Sequence, residues 1–171
     1  MRGKRRKERM ILKNATLHIG NGEVFQGDMR IADGKIVEVG KNINGDESRS
    51  LNGKHVFPGF IDSGNFLGAQ DMAFFAKDYN ENSNPVTPYL DIWHSIDPDE
   101  LSLQELYKAG ITSMLVTPGN EGILGGTCTV VKTKGKNINK ITVKRDAAMK
   151  ASMTSEVIRV FSGKGSPQSP C

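Results

Sequence analysis

At 171 residues, 37% hydrophobic and 25% charged, the chain is long enough for one moderate domain or two small ones and has a soluble, globular composition. Its apolar runs fall far short of the roughly 20 residues a membrane-spanning helix needs, no apolar segment follows Met10 as a secretory signal requires, and two cysteines, Cys128 and Cys171, make no disulfide framework, so a cytoplasmic, reducing setting is expected. The formal charge of +4 is concentrated in residues 1–10, which set six basic side chains against Glu8; the remainder carries 17 basic and 18 acidic residues and offers no nucleic-acid-binding face.

Residues 1–10 read as a disordered basic tail, a solvated extension whose charge could also meet phosphates or an anionic membrane. From Met10 to Val56 the pattern is short strands and tight turns. Ala15–Ile19 is strand-like, Gly20-Asn21-Gly22 turns the chain, and Met29–Ala32 and Lys35–Val39 flank Asp33-Gly34. Asp-Gly between strand-like runs is a strong hairpin signal, because glycine accepts the positive φ of a type I′ turn. The polar stretch 41–53 reads as a loop with a short pairing segment at Ser50-Leu51.

Val56–Asp62 is an apolar run ending in a carboxylate, the pattern of a buried parallel strand. Residues 69–96 show little periodicity, and Pro85 and Pro88 hold the residues before them extended, so a long irregular crossover is expected. A helix follows, with Asp97 as its cap, Pro98 at its first position and Gly110 as its left-handed end. Ile111–Thr117 is then a buried strand, the alternation of β/α folds. Thr127–Thr133 and Lys140–Lys144 read as two further strands. Residues 147–161 contain a helix whose Met149, Met153, Val157 and Val160 share one packing stripe, and the end after Ser162 reads as flexible.

Several of these pieces, in this order, resemble the amidohydrolase superfamily, most closely its imidazolonepropionase-like branch. They are Asn14-Ala15, Gly20 with Gly22, Asp33-Gly34-Lys35-Ile36, Val39-Gly40, Gly53-Lys54, Pro58–Asp62, Asn84–Pro88, Ala109–Thr112, Pro118-Gly119 and Gly125-Gly126. The resemblance implies an α/β fold: a small antiparallel β domain at 11–55, part of a sandwich built from both chain ends, followed over 56–171 by an incomplete (β/α)₈ barrel segment. A whole barrel takes roughly 250 residues, so the resemblance covers only the N-terminal portion of such a protein.

The family's chemistry is hydrolysis of C–N bonds in amides and cyclic amides, with zinc or another divalent metal activating water. A His-x-His clamp after Pro-Gly-Phe-Ile-Asp supplies two ligands. Here those positions hold Gly64 and Phe66, and neither side chain donates a lone pair. The resemblance makes Asp62 a carboxylate supporting the ligands; without them it reads as a strand-end or turn group. His18, His55 and His94 are the only histidines and are scattered in sequence, short of the three ligands a catalytic zinc site takes. Cys128 lies in an apolar strand pattern and reads as a buried thiol. The segment Gly119–Gly126 matches no phosphate-binding spacing and reads as a flexible loop, with an anion cradle as the alternative.

The expectation is therefore no catalytic residue, no metal ligand and no cofactor. Three readings follow: an amidohydrolase-like protein that has lost catalysis; a non-catalytic binding or assembly module whose exposed sheet edges are covered by self-association or a partner chain; and one half of a split hydrolase.

Overall fold

The structure is a computed structural model describing residues 9–45, 47–70 and 77–162. The tail expected over 1–10 lies almost wholly outside the described residues, as do the flexible end expected after Ser162 and residues 71–76 of the crossover. The chain divides into two units, 1–58 and 59–171.

In the first unit, β1 (Arg9–His18), β2 (Val24–Ala32), β3 (Lys35–Gly40), β4 (Ser48–Ser50) and β5 (His55–Val56) form one sheet. The order is β3-β2-β1-β4, with β5 also paired to β1. β1 runs antiparallel to β2 and parallel to β4 and β5, with Leu17 opposite both Phe25 and Val56. The β2–β3 hairpin turns at Asp33 (φ 51°) and Gly34 (φ 74°), the left-handed pair that the Asp-Gly dipeptide favours. Asn14 (φ 52°) breaks the β1–β2 register between Leu12 and Ala15. Its amide donates to Asp28 Oδ1 at 2.9 Å, while Asp28 Oδ2 accepts from the Ile43 amide at 3.0 Å, so one buried carboxylate fastens the bulge to the loop after β3. Ala15, Leu17 and Met29 form the core, flanked by Leu12, Phe25, Ile31, Leu51 and Val56.

The second unit contains β6 (Phe60–Asn65), α1 (Leu101–Lys108), β7 (Ile111–Val116), β8 (Leu124–Lys132), α2 (Ile138–Ile141), β9 (Thr142–Ala151) and α3 (Ser155–Phe161), with a 3₁₀ turn at Ile92–Ser95. Its sheet order is β6-β7-β8-β9. β6 and β7 are parallel, joined by the crossover and α1; β7–β8 and β8–β9 are antiparallel. Leu103 of α1 packs with Met114, Val116, Val131, Ile92, Ile96 and Ile141. The architecture is thus α/β, one parallel β-α-β unit extended by an antiparallel ribbon.

Local physics explains where the strands and helices depart from the sequence pattern. The run 56–62 is not one strand: β5 ends at Val56, and Phe57-Pro58-Gly59 separates it from β6 in the other sheet. Proline supplies no ladder donor, and Gly59 admits Thr112, whose Oγ1 would lie 2.1 Å from a Cβ there. Asp97 does not cap α1. Its carboxylate accepts from the Asp99 amide at 2.9 Å in a preceding turn, and the helix starts after Glu100. Gly110 (φ 92°) ends it as expected. Residues 147–151 are strand rather than helix, and the helix is confined to Ser155–Phe161. Met149 and Met153 consequently face solvent instead of forming a packing stripe. Lys140 belongs to α2, which precedes β9.

Candidate functional site

The strand ends of β6 and β7 are where the resemblance places chemistry. Alternate strand residues point to one side, so positions 64 and 66 would share a face. Gly64 donates its amide to Asp62 Oδ1 at 2.9 Å, and Asn65 Nδ2 donates to Asp62 Oδ2 at 2.6 Å. Both Asp62 oxygens are thereby engaged within the strand end, as befits a turn carboxylate. Asn65 Oδ1 accepts from the Leu67 amide at 2.8 Å. A Cβ at Gly64 would meet only Thr117 Cγ2, at 3.6 Å, so the backbone has room for a β-carbon there. Phe66 stacks on Tyr79, with ring centroids 4.2 Å apart and planes 19° from parallel. Hydrogen and a packed phenyl ring supply no lone pair, so the residues present do not fit a metal. Among the described residues, no group of three or more His, Cys, Asp or Glu stands close enough to hold one.

The loop after β6 is fixed by its neighbours. Gly68 (φ 89°) donates its amide to Glu100 Oε2 at 2.5 Å, and its carbonyl accepts from the Asp97 amide at 2.7 Å. The start of α1 thus holds the segment leading away from the β6 strand end.

Beside these strand ends lies a cavity of about 390 Å³, lined by Asp78, Tyr79, Asn80, Glu81, Tyr89, Asp91, His94, Pro118 and Gly125, among others. Pro118 follows β7, and Tyr79 is the residue that covers Phe66, so the cavity adjoins the expected clamp. Asp91 accepts from Arg145 of β9, which lies over the Trp93 ring at 4.3 Å. Burial pushes the Asp91 carboxyl up, but the Arg145 hydrogen bond, the Trp93 amide and the charges of Arg145 and His94 together outweigh it and hold it below its ordinary range. The Ser83 hydroxyl and amide likewise hold Glu81 low. The cavity thus presents ionised carboxylates beside two tyrosines. Asn80 Oδ1 is buried without a partner among the described residues, against Gly119, where a Cβ would fall 1.7 Å away.

Sequence spacing concealed most of this. Residues 78–94 lack periodicity, and Arg145 is 54 positions from Asp91. The three histidines are also less scattered than their numbering implies. His94 lines the cavity, while His18 and His55 meet in the first unit, with Nε2 and Nδ1 2.8 Å apart. The glycine-rich segment has a packing reason rather than flexibility alone. At Gly126 (φ 106°) a Cβ would stand 2.4 Å from the Leu90 carbonyl oxygen, which accepts from the Thr127 amide at 2.8 Å. Cys128 is buried in the β8 core, and desolvation pushes its thiol pKa up, which disfavours the thiolate.

No family model and no curated protein matches the chain. Among solved structures it is similar to an amidohydrolase from Thermotoga maritima MSB8, with 29% sequence identity and a TM-score of 0.83 over 91% of this chain. The chain spans 42% of the length of that structure. The likeness supports a relation to the amidohydrolases and matches the N-terminal part of such a protein.

Proposed function

We propose that the chain is an amidohydrolase-like protein of the imidazolonepropionase-like branch whose first strand end no longer carries out metal-dependent hydrolysis. The observation that supports this most directly is the pair Gly64 and Phe66 at the clamp positions, with the Phe66 ring packed on Tyr79. Activating water at neutral pH requires a cation held in fixed geometry. The Asp62 oxygens, which would steady such ligands, are turned to Gly64 and Asn65 instead. The family's C–N bond hydrolysis is therefore absent from this chain alone, and the adjoining cavity is left as a binding cleft in a reducing compartment. The test is a panel of cyclic and linear amides assayed with added Zn²⁺, Mn²⁺ or Co²⁺. No turnover above buffer is expected. Hydrolysis that a chelator stops and Asp62→Ala abolishes would refute the proposal.

A second reading, an assembly module, is favoured by apolar side chains at both sheet edges. Ile61 on β6 is 74% exposed, and Val143 on β9 is 56% exposed. Exposed apolar edges pair readily with other strands. The occupant in this reading is a second copy or a partner chain, including the second polypeptide of a split hydrolase. Light scattering of the purified protein discriminates: a stable monomer with no exposed-surface dye binding argues against it.

A further inference from the structure

We propose that His18 and His55 form a surface two-histidine site for an imidazole-preferring transition-metal ion such as Ni²⁺ or Cu²⁺, separate from the β6 strand end. The pair is built by the parallel β1–β5 ladder. Thr16 stands opposite His55 and Leu17 opposite Val56, so by strand alternation His18 and His55 lie on the face opposite the core residues Leu17 and Val56. His18 Nε2 and His55 Nδ1 are 2.8 Å apart. Phe57 stacks on the His18 ring, with centroids 4.0 Å apart and planes 16° from parallel, which limits the positions that ring adopts.

Two nitrogens bound to one ion at about 2.0–2.1 Å and at a right angle stand roughly 2.9 Å apart, the cis spacing of a tetragonal nickel or copper site. The separation is therefore already that of a cis pair. What must change is direction: the two nitrogens now face each other across one shared hydrogen, and a turn of the exposed His55 ring converges their lone pairs on an ion. The protonation balance closes without net change. The hydrogen between the rings is lost to solvent, and the ring that carried it takes one up on its outer nitrogen, leaving two neutral imidazoles with both facing lone pairs free. Water fills the remaining positions. Imidazole donors with open aqueous positions favour Ni²⁺ and Cu²⁺ over Mn²⁺, Mg²⁺ or Ca²⁺.

The experiment titrates the full 171-residue chain with Ni²⁺ alone, a probe that does not oxidise thiols, by calorimetry and by the paramagnetic broadening of histidine ring signals. One ion per chain is expected, broadening the ring signals of both His18 and His55. His18→Gln and His55→Gln should each weaken binding at least about tenfold, the lower end of what even an outer partner of a ligand is worth, and the double variant should remove the step. No binding, broadening that spares either of the two histidines, or loss in only one single variant would overturn the proposal. The ring signals of the unaltered protein decide the matter even where a variant folds poorly. The outcome is independent of the β6 reading, since that is judged by hydrolysis and its residues lie in the other unit.

Discussion

Arg145 reaches from β9 across the Trp93 ring to the carboxylate of Asp91, tying the antiparallel ribbon to the crossover. Asp91 also accepts from the Trp93 amide at 3.0 Å and so caps the 3₁₀ turn. Asp91→Ala should cost about 1–2 kcal/mol, the usual worth of a side-chain cap, measured by urea denaturation followed through the fluorescence of Trp93. The pH sign follows from the lowered pKa. The folded protein holds the carboxylate ionised more strongly than the unfolded chain does, so its stabilisation is present above the ordinary carboxylate range and is lost as pH falls through the lowered value. The difference between parent and variant should therefore shrink in acid.

Asp28 offers a second test, in the first unit. It is buried and accepts two backbone amides. Hydrogen bonds to a charged group contribute about 1.5–3 kcal/mol each, so Asp28→Ala should destabilise the first unit by about 3 kcal/mol or more. Asp28→Asn keeps one acceptor and should fall between. Circular dichroism during urea unfolding checks both.

Gly126 of β8 lies against the Leu90 carbonyl of the crossover. Gly126→Ala places a methyl on the Leu90 carbonyl and on a backbone of φ 106°, so a loss of at least about 2–3 kcal/mol is expected. By contrast, the methyl of Gly64→Ala meets only Thr117 Cγ2, at 3.6 Å, and should shift stability by about 0.5 kcal/mol or less, the range of a surface change. Thermal midpoints of the two variants give the comparison directly.

Cys128 is 2% exposed, with its thiol pKa raised by burial. In a Cys171→Ser background, a thiol reagent should label nothing in the native protein and one group in urea. Labelling at native conditions would show that the strand opens.

The sequence carried local information well and long-range information poorly. Asp33-Gly34 announced its hairpin, because the positive φ is a property of the dipeptide. That Gly64 and Phe66 lack lone pairs is legible in the sequence, but their assignment to clamp positions comes only from the resemblance around Pro58–Asp62. The split at Phe57-Pro58-Gly59 was hidden because an apolar run reads the same in one strand or two. Met149 and Met153 fit a helical stripe equally well, and pairing with β8 drew residues 147–151 into a strand. The meeting of His18 with His55, like that of Asp91 with Arg145, depends on strand register, which spacing does not contain.

Parallel pairing of β1 with β5 has a kinetic side. Thr16 bonds to Gly53 and His18 to His55 across 37 positions, and in the second unit Thr87 meets Leu124 at the same separation. Each ladder yields its contacts only after a long stretch of chain has been closed into a loop, and that entropy must be surrendered first. Refolding from denaturant should thus run on the millisecond-to-second scale typical of β-rich topologies, leaving nascent strands open to mispairing while they wait.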